Sequence, residues 1–347
     1  MNNTTMEENT MAIYLKYCGL ALGTAFVASV LACSSVLAAD KVKVTLNWTP
    51  AIASIGIIYG DVLGYYHAAG IDLEIEPGKG SGTTSQLVAA GSTDLGLANG
   101  PSAIAIAAKG APIKIIAPIY QTSDWGITSL IDTPIASPKD LEGKSIAIAP
   151  GGADIALFQL MLDKNGVDKS KINILSADAS GHIGLLAEKK VDGVSAAPGD
   201  VMLPLSEKGI KTKMMYYRDQ GAPLVGLSLV ARDDKLKENP DLYKRLVDAT
   251  LRGYAAAAKD PEAAVDALLS RYSDAGAKKV LLEELTQYTT AEYCVSGAKG
   301  FGKPPSSLWA STGSALVTSL GSLGEGGIEA KYTEDYLPVE APACPQM

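Results

Sequence analysis

The run Gly78-Lys79-Gly80-Ser81-Gly82-Thr83-Thr84-Ser85-Gln86-Leu87 joins a strand-like segment to a helix-like one, and its residue types suit holding a ligand rather than reacting with it. Glycine lets the backbone approach a bound molecule, and the first turn of the following helix presents N–H groups with no acceptor of their own. Two sharper readings are excluded. No Gly-x-x-x-x-Gly-Lys-Ser/Thr occurs, so this is not a phosphate-cradling P-loop, and the Gly-x-Gly lacks the third glycine of a dinucleotide fingerprint. Other candidates stand at strand ends, where α/β sheets place ligands. Trp48 follows the alternating run Val42-Lys43-Val44-Thr45-Leu46, Asn99 ends Leu95-Gly96-Leu97-Ala98, and Tyr120 follows Ile113-Lys114-Ile115-Ile116-Ala117. The Trp48 ring could stack on a planar ligand, worth roughly 0.5 to 1.5 kcal/mol beyond its buried area.

A second glycine loop, Pro150-Gly151-Gly152-Ala153-Asp154, opens a helix over residues 155–165. Its N–H groups and positive dipole end suit an acceptor group. If Asp154 caps the helix it occupies those donors; if it points away it favours a ligand that brings donors. Cations are scarce, since the first arginine is Arg218 and only Lys79 lies inside a candidate loop. Sulfonates and carboxylates are commonly gripped by arginine forks, so a neutral heteroaromatic ligand is favoured over an anion. With two histidines and no cysteine or acidic cluster at ligand spacing, no metal and no cofactor are expected. His67 reads as structural; His182, in Ser180-Gly181-His182, is structural or a ligand contact.

The elements that must position these residues repeat. At an offset of 98, residues 87–94 lie over 185–192, and each run leads into a strand-like stretch ending in Asn99-Gly100-Pro101 or Pro198-Gly199-Asp200. Upstream, strand 71–75 before the first loop matches 172–175 before Asp178-Ala179-Ser180-Gly181. The pattern predicts an α/β protein of two lobes, each a mixed sheet flanked by helices, with a ligand cleft between them. Residues 40–131 plus 226–347 form the first lobe and 132–225 the second, with residues 128–131 as a strand leaving the first. One helix is expected over 52–69, stopped by Gly70. Asn239-Pro240 and Asp260-Pro261 mark helix starts, residues 307–320 form a helix holding Trp309, and the tail beyond is loose.

A chain of 347 residues with 47% hydrophobic content exceeds the usual size of a single core. Its net charge of −8 attracts neither nucleic acid nor an anionic membrane. Residues 17–32 are apolar and uncharged, with Lys16 before them and Val36-Leu37-Ala38-Ala39 after, the layout of a secretory signal over residues 1–39. Export to the periplasm follows. Glu7 and Glu8 are unusual before such a segment, so Met11 competes with Met1 as the start. Val30-Leu31-Ala32-Cys33 resembles a lipoprotein box, which would anchor the chain by a lipid on Cys33 instead. Cys294 and Cys344 then remain, as two free thiols or as a disulfide closing about 50 residues, which stabilises by roughly 4 kcal/mol on the chain-entropy model.

Taken together, Leu46-Asn47-Trp48-Thr49-Pro50, Gly64-Tyr65-Tyr66-His67-Ala68-Ala69-Gly70-Ile71-Asp72-Leu73, the run 80–96 and Gly143-Lys144-Ser145-Ile146-Ala147-Ile148 resemble the substrate-binding proteins of ABC importers for nitrate, sulfonates and thiamine-precursor pyrimidines. The resemblance extends over residues 42 to about 336. It implies a type II periplasmic binding protein, non-enzymatic and expected to be monomeric, that closes on a small-molecule solute and delivers it to ABC permease subunits in the inner membrane. Pocket positions carried over are Trp48, Gly80, Ser81, Gly82, Thr83, Asn99, Tyr120, Gly151, Gly152, Asp154, Ser180 and Asp200. Thiamine-precursor members often show Asn and His after Trp-x-Pro; here Ala51-Ile52-Ala53-Ser54 stands instead, which keeps an alkanesulfonate, taurine or nitrate-like anion as the alternative ligand. Pyrimidine-synthesising enzymes share the fold, but use a cysteine-rich iron motif, an active-site His and a lysine-bound cofactor, and this chain has no His near Trp48. A ligand sensor reporting to a membrane receptor is the third reading.

Overall fold

The computed structural model describes residues 39–150 and 154–345, without the side chains of Asp154 and Ala156. The expected signal segment, Cys33, Gly151 and Gly152 therefore lie outside the described residues. The first half of the chain runs β1 (Asp40–Thr45), α1 (Ile55–Val62), α2 (Tyr65–Ala68), β2 (Ile71–Glu76), α3 (Ser81–Ala90), β3 (Leu95–Asn99), α4 (Gly100–Ala108), β4 (Ile113–Pro118), β5 (Gly126–Leu130), β6 (Ser145–Ile148) and α5 (Asp154–Lys164). There follow β7 (Asn173–Ser176), α6 (His182–Ala187), β8 (Gly193–Ala196), α7 (Met202–Glu207), β9 (Thr212–Tyr216) and β10 (Leu227–Arg232). The helices α8 (Asp233–Glu238), α9 (Pro240–Lys259), α10 (Pro261–Arg271), α11 (Lys278–Ala291) and α12 (Ser306–Leu320) end the chain. Among the described residues no helix is long and apolar enough to cross a membrane.

Two five-stranded sheets share one plan. The first has the order β2-β1-β3-β10-β4 and the second β7-β6-β8-β5-β9. In each the first three strands are parallel, while β10 and β5 run antiparallel to both neighbours. β3 and β8 are buried along their whole length, as strands covered on both faces by helices must be. The sequence repeat is matched bond for bond at its aspartates. Asp94 accepts from Lys43 N–H at 2.9 Å and donates its own N–H to Lys43 O at 3.0 Å; Asp192 does the same with Ser145, at 2.8 Å both ways. Each aspartate pins the turn before β3 or β8 to the central parallel strand of its sheet, at Lys43 in β1 and at Ser145 in β6.

Four expectations change. The helix over 52–69 is a short turn followed by α1 and α2, broken where Gly64 adopts φ +72°. Residues 128–131 do not leave the first lobe: β5 pairs with β8 and β9, and its Ile127 sits in the second core with Ile146, Phe158 and Met215, so the chain crosses between Ile119 and Trp125. Nor does all of 226–347 belong to one lobe. α12 packs on both α4 and α5, with Trp309 in a first-lobe core and Ala315 in the second, because its apolar residues face both sides. The tail is docked rather than loose: Trp309 stacks on Tyr332 at 4.0 Å, Ile115 bonds to Lys331 and Thr333, and Cys294 is joined to Cys344. Of the two proline-marked starts, Asp260 caps α10 through Ala263 N–H at 3.2 Å, whereas Asn239 makes no side-chain cap.

Candidate functional site

In the first lobe, β1 delivers Asn47 and Trp48 onto the glycine loop. Gly78 N–H donates to Trp48 O (3.0 Å) and Gly80 N–H to Asn47 O (2.8 Å), while Thr84 Oγ1 donates to Leu46 O (2.7 Å). Gly80, at φ +115°, supplies the turn into α3 with open space where a Cβ would stand, and Gly82 is equally open. α3 has no side-chain cap and no acidic residue in its first turn, so the N–H groups of Ser81, Gly82 and Thr83 are left for a ligand or water. Ser81 Oγ accepts from Asn99 N–H at 2.9 Å, which holds the end of β3 against this turn. Asn99 is buried, and its Oδ1 has no partner among the described residues. Trp48 is 55% exposed. Trp48, Gly80 to Thr83 and Asn99 are thus gathered around one helix start.

The corresponding loop of the second lobe is closed. Asp178 accepts from both the N–H (2.9 Å) and the hydroxyl (2.6 Å) of Ser180, so this expected ligand contact has both its donors committed. His182 is buried, its Nε2 lies 3.2 Å from Ala177 O, and burial holds the imidazole below its usual pKa; it is structural. Asp154 opens α5. A cavity of about 130 Å³ lies beside it, lined by Pro150, Ile155, Phe158, Lys169 and Ile174.

The strand ends meet where the chain crosses between lobes. Gly100 N–H donates to Gly226 O (2.8 Å), Gly226 N–H to Tyr120 O (3.0 Å) and Ser123 N–H to Leu224 O (2.8 Å), so both crossovers run side by side from Asn99. Tyr120 is not an open pocket wall as expected. Its ring is buried against Tyr288 (4.8 Å) and Tyr293 (5.8 Å), because the C-terminal helices cover it, and its hydroxyl has no partner among the described residues.

Beyond Tyr120 lie two carboxyls that the sequence reading missed, Asp124 and Glu284, near the expected Asp200. Asp124, in the first crossover, is buried; desolvation, then the nearby Asp200, push its pKa up to about 6. Glu284, on α11, is pushed up to about 7, first by burial and then by Asp200 and Asp124. Asp200 still reaches solvent, yet the protein mass around it raises its pKa too, the situation of a carboxyl in a concavity. Glu284 packs over Gly199, where a Cβ would strike its Oε1, and Gln287 one turn on donates to Tyr216 OH (2.7 Å). Arg218 is taken up already: it donates to Glu292 at 2.5 Å and to Ser123 O at 3.1 Å, and lies over the Tyr216 ring. Asp124 follows directly on the polar run 120–123 and was legible on that ground; nothing on α11 singles out Glu284.

Comparison with known proteins fits this arrangement. The family profile described as NMT1/THI5 like matches residues 51–264. The riboflavin-binding protein RibY of Chloroflexus aurantiacus is 20% identical over 86% of this chain and 86% of its own length. A formylaminopyrimidine-binding protein of Halalkalibacterium halodurans is 23% identical over 69% of this chain and 72% of its own. Among solved structures, the periplasmic aliphatic sulphonate binding protein SsuA of Escherichia coli superposes with a TM-score of 0.66, covering 81% of this chain and 92% of that one at 13% identity, a likeness of fold.

Proposed function

The chain belongs to the NMT1/THI5-like family, and we propose that it is the extracytoplasmic solute-binding component of an ABC importer, holding a small pyrimidine-like heteroaromatic molecule between its lobes and passing it to permease subunits. Trp48 carries the ligand class. An indole left 55% exposed at a strand end forgoes burial worth about 2 kcal/mol, which a planar guest stacked on it recovers. The uncapped turn of α3 beside it supplies donors for ring nitrogens or carbonyl oxygens.

An anionic guest is disfavoured on charge. Every arginine of the chain is ion-paired: Arg218 with Glu292, Arg232 with Asp234, Arg245 with Asp40, Arg252 with Asp248 and Arg271 with Asp61. Two of the relatives carry names for ring-shaped solutes, and they are named as binding proteins, in line with a receptor rather than an enzyme. Transport works by hinge motion at the crossovers 119–125 and 221–226. A guest that touches both lobes binds the closed form better than the open one, and only that difference shifts the equilibrium.

Isothermal titration against pyrimidines, riboflavin, taurine, alkanesulfonates and nitrate tests this. Saturable binding of a ring compound, weakened roughly tenfold in Trp48→Ala with unchanged melting temperature, is expected. Tight binding of a sulfonate or nitrate, or of no small solute, overturns it.

A further inference from the structure

The disulfide joins Cys294 and Cys344, 50 apart in sequence, and the segment it closes grips both crossovers between the lobes. Residues 292–300 take the first. Gln121, buried in that crossover, donates its backbone N–H to Glu292 O (2.7 Å) and its side-chain amide to Gly300 O (2.7 Å). Its Oε1 accepts from Val295 N–H at 3.3 Å, and its amide nitrogen stands 3.8 Å from the bridged Cys294 Sγ. Further along the same closed segment, α12 takes the second crossover. Thr312 Oγ1 accepts from Val225 N–H at 3.0 Å, and Ser311 Oγ donates to Pro223 O at 3.0 Å.

The segment also reaches the second lobe. Glu292, two residues before the bridge, receives Arg218, which follows β9 and donates to Ser123 O as well. Ala315 of α12 is packed in the second core. The far end is moored on the first lobe, where Thr333 N–H donates to Ile115 O (2.9 Å) and Ile115 N–H to Lys331 O (3.0 Å). A covalent closure removes the other arrangements that the ends of such a segment could take. Bonded to both crossovers and fixed at both ends, it resists any movement that draws either crossover away from it.

We propose that the disulfide-closed segment is a clasp on the hinge, so that the state of the Cys294–Cys344 bond sets how far the lobes swing. With the bond intact, the clasp holds the crossovers at Gln121 and Val225 against the first lobe. Bending is left to Asp124 and Trp125 on one crossover and to Gly221 and Ala222 on the other, where Gly221 has φ +82°. With the bond broken, the segment yields and the lobes sample wider arrangements. The inference takes only the hinge motion from the receptor reading above. Dithiothreitol breaks the bond by giving two electrons: its two thiol protons pass to Cys294 and Cys344, and the reagent closes into a cyclic disulfide.

Small-angle X-ray scattering of the ligand-free protein reads the swing directly. Reduction with dithiothreitol, at a temperature where circular dichroism stays native, should raise the radius of gyration and broaden the distance distribution, and reoxidation should reverse both. Gln121→Met and Thr312→Val each cut one hold while the bridge stays intact. Each should shift the balance towards wider arrangements roughly fivefold, the effect of one hydrogen bond of ordinary net strength. Hydrogen exchange at Thr333 separates a wider hinge from a frayed tail, and should stay slow in both variants. Scattering unchanged by reduction overturns the clasp. So does a change on reduction that comes with lost protection at Thr333 and is absent from both variants. Either result leaves the receptor for ring solutes standing, since solute titration alone decides that reading.

Discussion

The start of α3 in the first lobe and the start of α6 in the second occupy equivalent places in two sheets of one topology, and they present opposite faces to a ligand. Around α3, Gly80 and Gly82 leave the backbone bare and no acidic side chain covers the N–H groups. Before α6, Asp178 covers the turn and fixes Ser180. The ends of the following strands differ as well: at the offset of 98, Asn99 of the first lobe corresponds to Ala197 of the second, and Asp200 comes three residues later. The duplicated architecture thus leaves backbone donors free at the start of α3 and has them committed before α6.

The two lobes also differ in how they are tied, and this carries the largest expected effect. Cys294 and Cys344 staple the C-terminal segment over the first-lobe core, whereas the second lobe has no bridge among its described residues. Replacing both cysteines with serine should lower unfolding free energy by about 4 kcal/mol on the chain-entropy model, read by urea titration. An unchanged midpoint would remove this contrast.

Glycine at the two loops separates them next. Gly80→Val imposes φ +115° on a branched residue and fills the open space over the α3 start, so it should cost about 1 to 3 kcal/mol of stability and abolish measurable ligand binding. Gly181→Ala, at φ −85° with nothing near its Cβ, should change neither, as read by thermal melts and titration.

The buried carboxyls of Asp124 and Glu284 predict a pH dependence. Asp124 and Glu284 have folded pKa values raised to about 6 and about 7 above ordinary carboxyl values near 4. The folded state then binds protons more tightly than the unfolded one, so the stability they contribute is fully present below about pH 4 and is lost as pH rises through about 7. The melting temperature of the ligand-free protein should fall between pH 5 and 8 on their account, and Glu284→Gln should flatten that fall. A slope unchanged by the substitution would place the titration elsewhere. The smallest effect is expected at Asp178→Ala, which frees the donors of Ser180 and should cost about 1 kcal/mol with no change in affinity.

Much of the architecture was legible in the chain. The offset repeat located both parallel cores, since Asp94 and Asp192 recur for the same reason, to pin a turn to a strand. The glycine loop, Trp48 and Asn99 were legible as neighbours because one strand-turn-helix unit joins them. Tyr120 and β5 were misplaced because period and polarity are the same for a strand in either sheet, and for a tyrosine in a pocket or under a helix. Glu284 and Tyr288 gave no signal at all: on an amphipathic helix an acidic residue four places from a tyrosine usually marks a solvated face.

Local order is therefore what the sequence determined: which segments are strands and helices, where the backbone is bare, and that two halves repeat. Those features depend on residues close in the chain, through periodicity, glycine conformation and the hydrogen bonds of short turns. The tertiary structure alone decided which sheet each crossover strand joins and which distant carboxyls share one junction. Such choices rest on packing between segments more than 70 residues apart, as Asp124, Asp200 and Glu284 are, and no local pattern encodes them.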